Sequence, residues 1–138
     1  MYDKRVLGLA EARAAVDAVL RAAEGHGGRP IVVAVADPDG DLIALARMDG
    51  AGHLPRRMAV RKAYTSARME TDTGAYGERL RGSGLDVKDM GDPELVAFAG
   101  GVCVREGDQV VGAIGVSGRS AAEDEELARA GLAALATK

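Results

Sequence analysis

The sequence predicts an α/β fold of the α+β type, an antiparallel sheet with helices packed against it. Three observations carry this expectation. Apolar residues recur at helical spacing near both ends of the chain. Two pairs of short β-branched or small apolar runs are each broken by turn chemistry. The segments follow one another as helix, hairpin, helix, glycine-rich stretch, hairpin, helix, and hairpins joined by helices specify an antiparallel sheet, not an alternating parallel βαβ fold.

Leu9, Ala12, Val16, Val19, Leu20 and Ala23 share a face while Glu11, Arg13, Asp17, Arg21 and Glu24 fall mostly elsewhere, which predicts a helix over 9–24. Gly25-His26-Gly27-Gly28 closes it, since glycine takes the left-handed cap without a Cβ penalty. Runs 30–36 and 42–47 form a hairpin about Asp37-Pro38-Asp39-Gly40-Asp41. These aspartates alternate like a calcium loop, but no acid follows at the EF-hand's last position, so they read as turn chemistry. Residues 58–69 contain no Gly or Pro and predict a second helix. From 71 to 101 glycines are frequent and periodicity is weak; the stretch reads as a flap, with Leu80, Leu85, Leu95, Val96 and Phe98 docking a short helix or two. Runs 102–105 and 109–116 form the second hairpin about Glu106-Gly107-Asp108. Ser120-Ala121-Ala122-Glu123 is a capping box, and Leu127, Gly131, Ala134 and Leu135 continue a helix face to the end.

Composition narrows the function. A chain of 138 residues makes a single domain, 1–138, with one Cys and a net charge of −3. One cysteine excludes an intrachain disulfide framework and a multi-Cys metal site, and with two histidines a zinc centre would need carboxylates or Cys103 to complete it, so no metal site is expected. A slightly acidic chain without Trp is a poor nucleic-acid binder, and no apolar run approaches a membrane span. The N-terminus lacks the apolar run of a secretory signal, so a cytoplasmic protein is expected.

Gly112, Gly115 and Gly118 have neither the spacing nor the topology of a dinucleotide fingerprint, and Ser117 lacks the glycines of a nucleophile elbow. They read as close backbone approach at Gly112 and Gly115 and a turn at Gly118. Cys103, inside an apolar strand, reads as a buried structural thiol.

Arg56, Arg57, Arg61, Lys62 and Arg68 place five cations and no acid in thirteen residues. One reading is a solvated face pairing with acids nearby; the other is an anion site. Met58, Lys62, Thr65 and Met69 share a helix face, and Ala59, Ala63 and Ser66 a smaller one suited to packing on the sheet. The first face suits a flat, partly apolar small-molecule ligand with carboxylates, held by Lys62 and Arg47 with Thr65 hydrogen-bonding. Asp49 leaves the same strand end as Arg47, His53 follows in a polar connection, and Gly100 and Gly101 let backbone N–H groups approach. His53 is a candidate ligand or acid–base group. A lysine desolvated in such a pocket acts as a base or Schiff-base nucleophile, so Lys62 is also the catalytic candidate.

Val35-Ala36-Asp37-x-x-Gly40, Leu45-Ala46-Arg47-Met48-Asp49-Gly50-Ala51, Lys62-Ala63-Tyr64-Thr65-Ser66, Gly100-Gly101 and Gly112-Ala113-Ile114-Gly115-Val116-Ser117-Gly118, in this order, resemble the GlcG/HbpS family of haem-binding or haem-degrading proteins. Related domains end some cobalamin adenosyltransferases. The resemblance implies a profilin-like domain, a homo-oligomer from dimer to octamer, and haem or a related tetrapyrrole as ligand. Lys62 and Thr65 fall in the family's Lys-Ala-x-Thr motif. Where the family often has proline two residues after the glycine pair, this chain has Cys103, and position 53 is not usually histidine. In the motif region His53, Met58, Tyr64 and Met69 are the residue types that ligate haem iron. Two readings follow: a haem-type binding protein, or a cofactor-independent isomerase, lyase or cyclase acting on a small carboxylated metabolite. A homo-oligomer is also expected from the basic helix and the acidic run Glu123, Asp124, Glu125 and Glu126 as complementary patches.

Overall fold

A computed structural model describes residues 1–136 of the chain. In order it contains helix α1 (Leu9–His26), strands β1 (Val32–Ala36) and β2 (Leu42–Arg47), helices α2 (His53–Met69) and α3 (Thr73–Gly82), a 3-10 turn at Val87–Met90, strands β3 (Gly101–Glu106) and β4 (Gln109–Ser117), and helix α4 (Ala121–Ala136). The end of the final helix face, residues 137–138, lies outside the described residues. The sheet is antiparallel in the order β2-β1-β4-β3, the α+β arrangement expected from the hairpins.

Strand alternation sends side chains to opposite faces. Val33 and Val35 of β1 join Val102, Val104, Ile114 and Val116 in a core under α1 and α4, with Val19, Ala23 and Leu127. Val32, Ala34 and Ala36 face Ala59 and Ala63 of α2 on the other side. The result is three layers, with the small-residue face of α2 on the sheet as the spacing predicts.

Ala34, Gly115 and Gly101 lie opposite one another across three neighbouring strands. They form a shallow trough for α2. A Cβ at Gly115 would fall 2.6 Å from the Ala63 nitrogen and collide with the Ala59 carbonyl oxygen, while one at Gly101 would fall 2.5 Å from the Lys62 carbonyl oxygen. The glycines are thus required by helix backbone resting on sheet backbone. Gly112 leaves no room for a Cβ for a different reason, the Leu7 side chain and the Ala36 carbonyl of β1, and Gly118 turns the chain at φ +139°.

The turn chemistry holds in atomic terms. Asp37 Oδ1 accepts from the N–H groups of Asp39 and Asp41 at 2.8 and 3.0 Å, and Ser120 Oγ donates to Glu123 Oε1 at 2.7 Å while accepting from the Glu123 N–H. Cys103 is a buried thiol that donates to the Ser66 carbonyl at 3.2 Å, and burial pushes it above the ordinary cysteine range.

One boundary differs from the sequence expectation. Helix α2 begins at His53, not at 58, because Gly52 caps it in extended conformation and Pro55 sits in the first turn, where its missing N–H has no helical partner to lose. The expected flap carries α3, in keeping with the short helix or two anticipated there. Its Gly77 lies where a Cβ would collide with the Ala97 carbonyl, and Tyr76 and Leu80 are buried, so these glycines serve packing and not turns. Residues 83–86 and 91–100 keep an irregular path between and after the helical turns.

Candidate functional site

Lys62 is 1% and Asp124 2% exposed, and the two form a buried ion pair. Lys62 Nζ donates to Asp124 Oδ2 at 3.2 Å and to the Val116 carbonyl at 2.9 Å, and lies 5.1 Å from the centroid of the Phe98 ring. Asp124 Oδ1 accepts from the Arg119 N–H at 3.0 Å. The helices carrying the pair cover opposite faces of the sheet, so the ion pair ties the two layers together around the end of β4. Gly118 makes the path possible, since a Cβ there would stand 2.6 Å from the Pro30 carbonyl oxygen.

Burial disfavours charge on both groups. It pushes the Lys62 ammonium below the ordinary lysine range against the raising effect of Asp124. It pushes the Asp124 carboxyl above its ordinary range against Lys62 and the backbone N–H groups that stabilise the anion.

The pair borders a half-open cleft of about 310 Å³. Leu54, Pro55 and Met58 of α2 form one wall and Phe98 another, with Ser117, Gly118, Arg119, Ala121 and Arg29 completing the lining. Leu54 and Phe98 are 63% and 46% exposed, large apolar groups left in water beside the opening. Arg119 is held by the carbonyls of Arg29 and Ala23 at 2.8 and 3.0 Å. Among the described residues no carboxylate forms an ion pair with Arg29 or Arg119. The cleft therefore joins apolar walls, two guanidinium groups and a desolvated amine beside a carboxyl.

The other candidates take varied places. Thr65 is fully buried, and its Oγ1 accepts from the Val96 N–H at 3.0 Å, fastening the segment that carries Phe98. Gly100 packs on the Lys62 side chain and its carbonyl accepts from the Val116 N–H; the Gly101 N–H donates to Thr73 Oγ1 at 2.9 Å. Arg47 ends β2 exposed, Asp49 is exposed in the following turn, and His53 is exposed at the first position of α2. None of these three lines the cleft. His53 precedes Met58 by five positions, which turns it about 140° around the helix from the cleft wall.

Of the cations on α2, Arg61 pairs with Glu94 at 3.1 Å, as the neighbouring-acid reading anticipates, while Arg68 donates to the main-chain carbonyl of Asp39. The acidic run does not form the surface patch expected from the sequence. Asp124 is buried on Lys62, and Glu125 lies 3.5 Å from Arg129 within its own helix. Sequence reasoning missed Arg29, Arg119 and the role of Asp124. A signal existed for Asp124: it stands three, four and seven positions before Leu127, Ala128 and Gly131, the buried stripe of α4. Among the described residues no group of three or more His, Cys, Asp or Glu gathers to hold a metal, and no helix is long and apolar enough to cross a membrane.

Comparison with known proteins was consistent with this architecture. The HbpS-like family, described as haem degrading protein HbpS-like, matches residues 7–133. The chain is 34% identical to protein GlcG of Escherichia coli K12 over 87 residues, covering 63% of each protein. It is 32% identical over 109 residues to an uncharacterized 15.0 kDa protein of the Citrobacter freundii dhaT-dhaS intergenic region, covering 75% of this chain and 74% of that one. A double mutant of Streptomyces reticuli HbpS superposes with a TM-score of 0.88 at 35% identity, over 98% of this chain and 90% of that structure.

Proposed function

The chain belongs to the HbpS-like family, and from that premise we propose that it is a small-molecule-binding protein of the haem or tetrapyrrole type. One observation carries the reading: a cleft whose apolar walls stand beside two guanidinium groups that, among the described residues, form no ion pair with a carboxylate. A tetrapyrrole with propionates needs apolar contact over its ring and cations at its edge. Leu54, Met58 and Phe98 suit the ring, and Arg29 and Arg119 the propionates. Haem, when bound, supplies iron for ligand binding or redox chemistry. Among the described residues that line the cleft, Met58 is the one of a type that commonly ligates haem iron. Arg47, Asp49 and His53 stay outside this proposed contact set, and Lys62 with Thr65, Gly100 and Gly101 supports it from below.

A cleft of about 310 Å³ lies at the small end of ligand pockets, and a flat ring extends beyond its rim. We assign the remaining cover to a second copy of the chain. Leu42 and Leu45 on the edge strand β2 are exposed apolar groups that suit self-association into a homo-oligomer. Light scattering at micromolar concentration gives a dimer or larger; a monomer in low and moderate salt rejects this part. The free thiol of Cys103 suits the reducing cytoplasm, where we place the protein.

Haemin titrated into the apo-protein gives a saturable Soret change at one equivalent per chain. Phe98→Ala weakens binding roughly tenfold, about 1.4 kcal/mol, through lost apolar cover. Affinity no tighter than for an unrelated control protein rejects the haem reading.

A second reading, a cofactor-independent isomerase, lyase or cyclase for a small carboxylated metabolite, draws support from Lys62. A buried amine at a cleft with a carboxyl beside it is equipped for base or nucleophile chemistry. Native mass spectrometry of freshly purified protein separates the two: a retained tetrapyrrole favours the first, a small carboxylated compound the second.

A further inference from the structure

We propose that Lys62 is a carbonyl-capturing amine, condensing with a small aldehyde or ketone that carries a flat apolar body and a carboxylate, while Asp124 moves the protons. This inference rests on the second reading above and names its substrate class.

The geometry around Nζ supports it. An ammonium has three N–H donors. Two reach oxygens, on Val116 and Asp124, and the remaining side of the group is covered by the Phe98 ring. Phe98 belongs to the irregular segment 91–100 and is itself half in water, so it can lift without unpacking the sheet. Gly100 has room for no Cβ, which would collide with Lys62 Nζ, so the amine reaches the end of the cleft past bare backbone. A purely structural pair gains little from this placement, since buried ion pairs often stabilise less than apolar residues of the same volume. Arg29 and Arg119 meet the carboxylate of the substrate, and Leu54 and Met58 cover its flat body.

The chemistry balances within the pair. Transfer of one ammonium proton to Asp124 gives an amine and a carboxylic acid with unchanged net charge. The nitrogen lone pair attacks the carbonyl carbon, and the C=O π pair moves to oxygen, which takes the Asp124 proton. The carboxylate then takes an N–H proton and delivers it to the hydroxyl, which leaves as water while the C=N bond forms. The product is an iminium ion paired with the Asp124 carboxylate. Nothing is oxidised or reduced. Burial already disfavours both charged forms, which lowers the cost of the first transfer.

The probe is 4-formylbenzoate with sodium cyanoborohydride, followed by peptide mapping. Lys62 is expected to be reductively alkylated in preference to Lys4, Lys88 and Lys138, at least tenfold faster than by benzaldehyde, which lacks the carboxylate. Phe98→Ala is expected to speed trapping, and Asp124→Asn to slow it at least tenfold in protein that folds. Labelling of the other lysines with Lys62 untouched in both wild-type and Phe98→Ala protein overturns the proposal. Terephthalate, with ring and carboxylates but no electrophilic carbonyl, is titrated in parallel by calorimetry. Binding without trapping rejects the imine and retains the carboxylated-metabolite reading; neither binding nor trapping rejects both.

Discussion

Asp124→Asn lowers the unfolding free energy by about 3–5 kcal/mol, because it leaves the Lys62 ammonium buried and unpaired. Lys62→Met has a comparable effect from the other side, stranding the carboxylate among Arg119 and Gly118 backbone. The double variant Lys62→Met/Asp124→Leu recovers most or all of the loss, since an apolar pair of similar volume needs no charge desolvated. Urea denaturation of the four proteins measures the cycle. Single variants within about 1 kcal/mol of wild type would show that the charges are not buried as described.

The same four proteins carry a pH signature. Native Asp124 titrates above its ordinary 3.8, so between that value and its native one the folded state binds more protons and stability falls as pH rises. Native Lys62 titrates below its ordinary 10.5, so between its native value and 10.5 the unfolded state binds more protons and stability rises with pH. In the double variant neither group remains to titrate, and both slopes disappear from the plot of stability against pH.

Gly115→Ala is the second large effect. The added Cβ meets the Ala59 carbonyl and the Ala63 nitrogen, both helix backbone, so no side chain can swing aside. The expected loss is at or above the upper end of the roughly 1–3 kcal/mol typical of overpacking. Because α2 must lift, the contacts of Lys62 with Val116 and Asp124 loosen, and reductive trapping at Lys62 changes along with stability. Gly25→Ala is the control: nothing lies within 4 Å of a Cβ there and the residue is inside α1, so the change is neutral or stabilising by up to about 1 kcal/mol. Equal melting behaviour of the two variants would show that α2 does not rest on the sheet at Gly115.

The elements legible in the sequence were those specified by local chemistry. Asp37 and Gly40 define their turn by bonds within five residues, and Ser120 and Glu123 define a helix start within four. A short helix in the flap was legible from Leu80, but the bounds of α3 were hidden because Gly74 and Gly77 answer to Ala99 and Ala97, which only tertiary folding brings near. Lys62 was legible because a lysine adjoins the small-residue face of a helix. Asp124 was masked by three other acids in succession, although its offset from Leu127 places it on the buried side. Arg29 and Arg119 are ninety positions apart, and they meet because Val32 pairs with Ser117 in the register of β1 and β4, a relation no local pattern encodes.

The small-residue trough beneath α2 divides the domain into a part that resists change and a part that tolerates it. Ala34, Gly115 and Gly101 set the height of the helix through main-chain contact, so the position of the amine does not depend on the identity of cushioning side chains. The residues that give the cleft its shape, Leu54, Met58 and Phe98, stand outside that contact. They are free to vary in size and polarity while the amine keeps its coordinates. Such a scaffold lets ligand preference drift among related chains, and offers a site for directed evolution in which libraries at three wall positions explore new ligands with the reactive group held fixed.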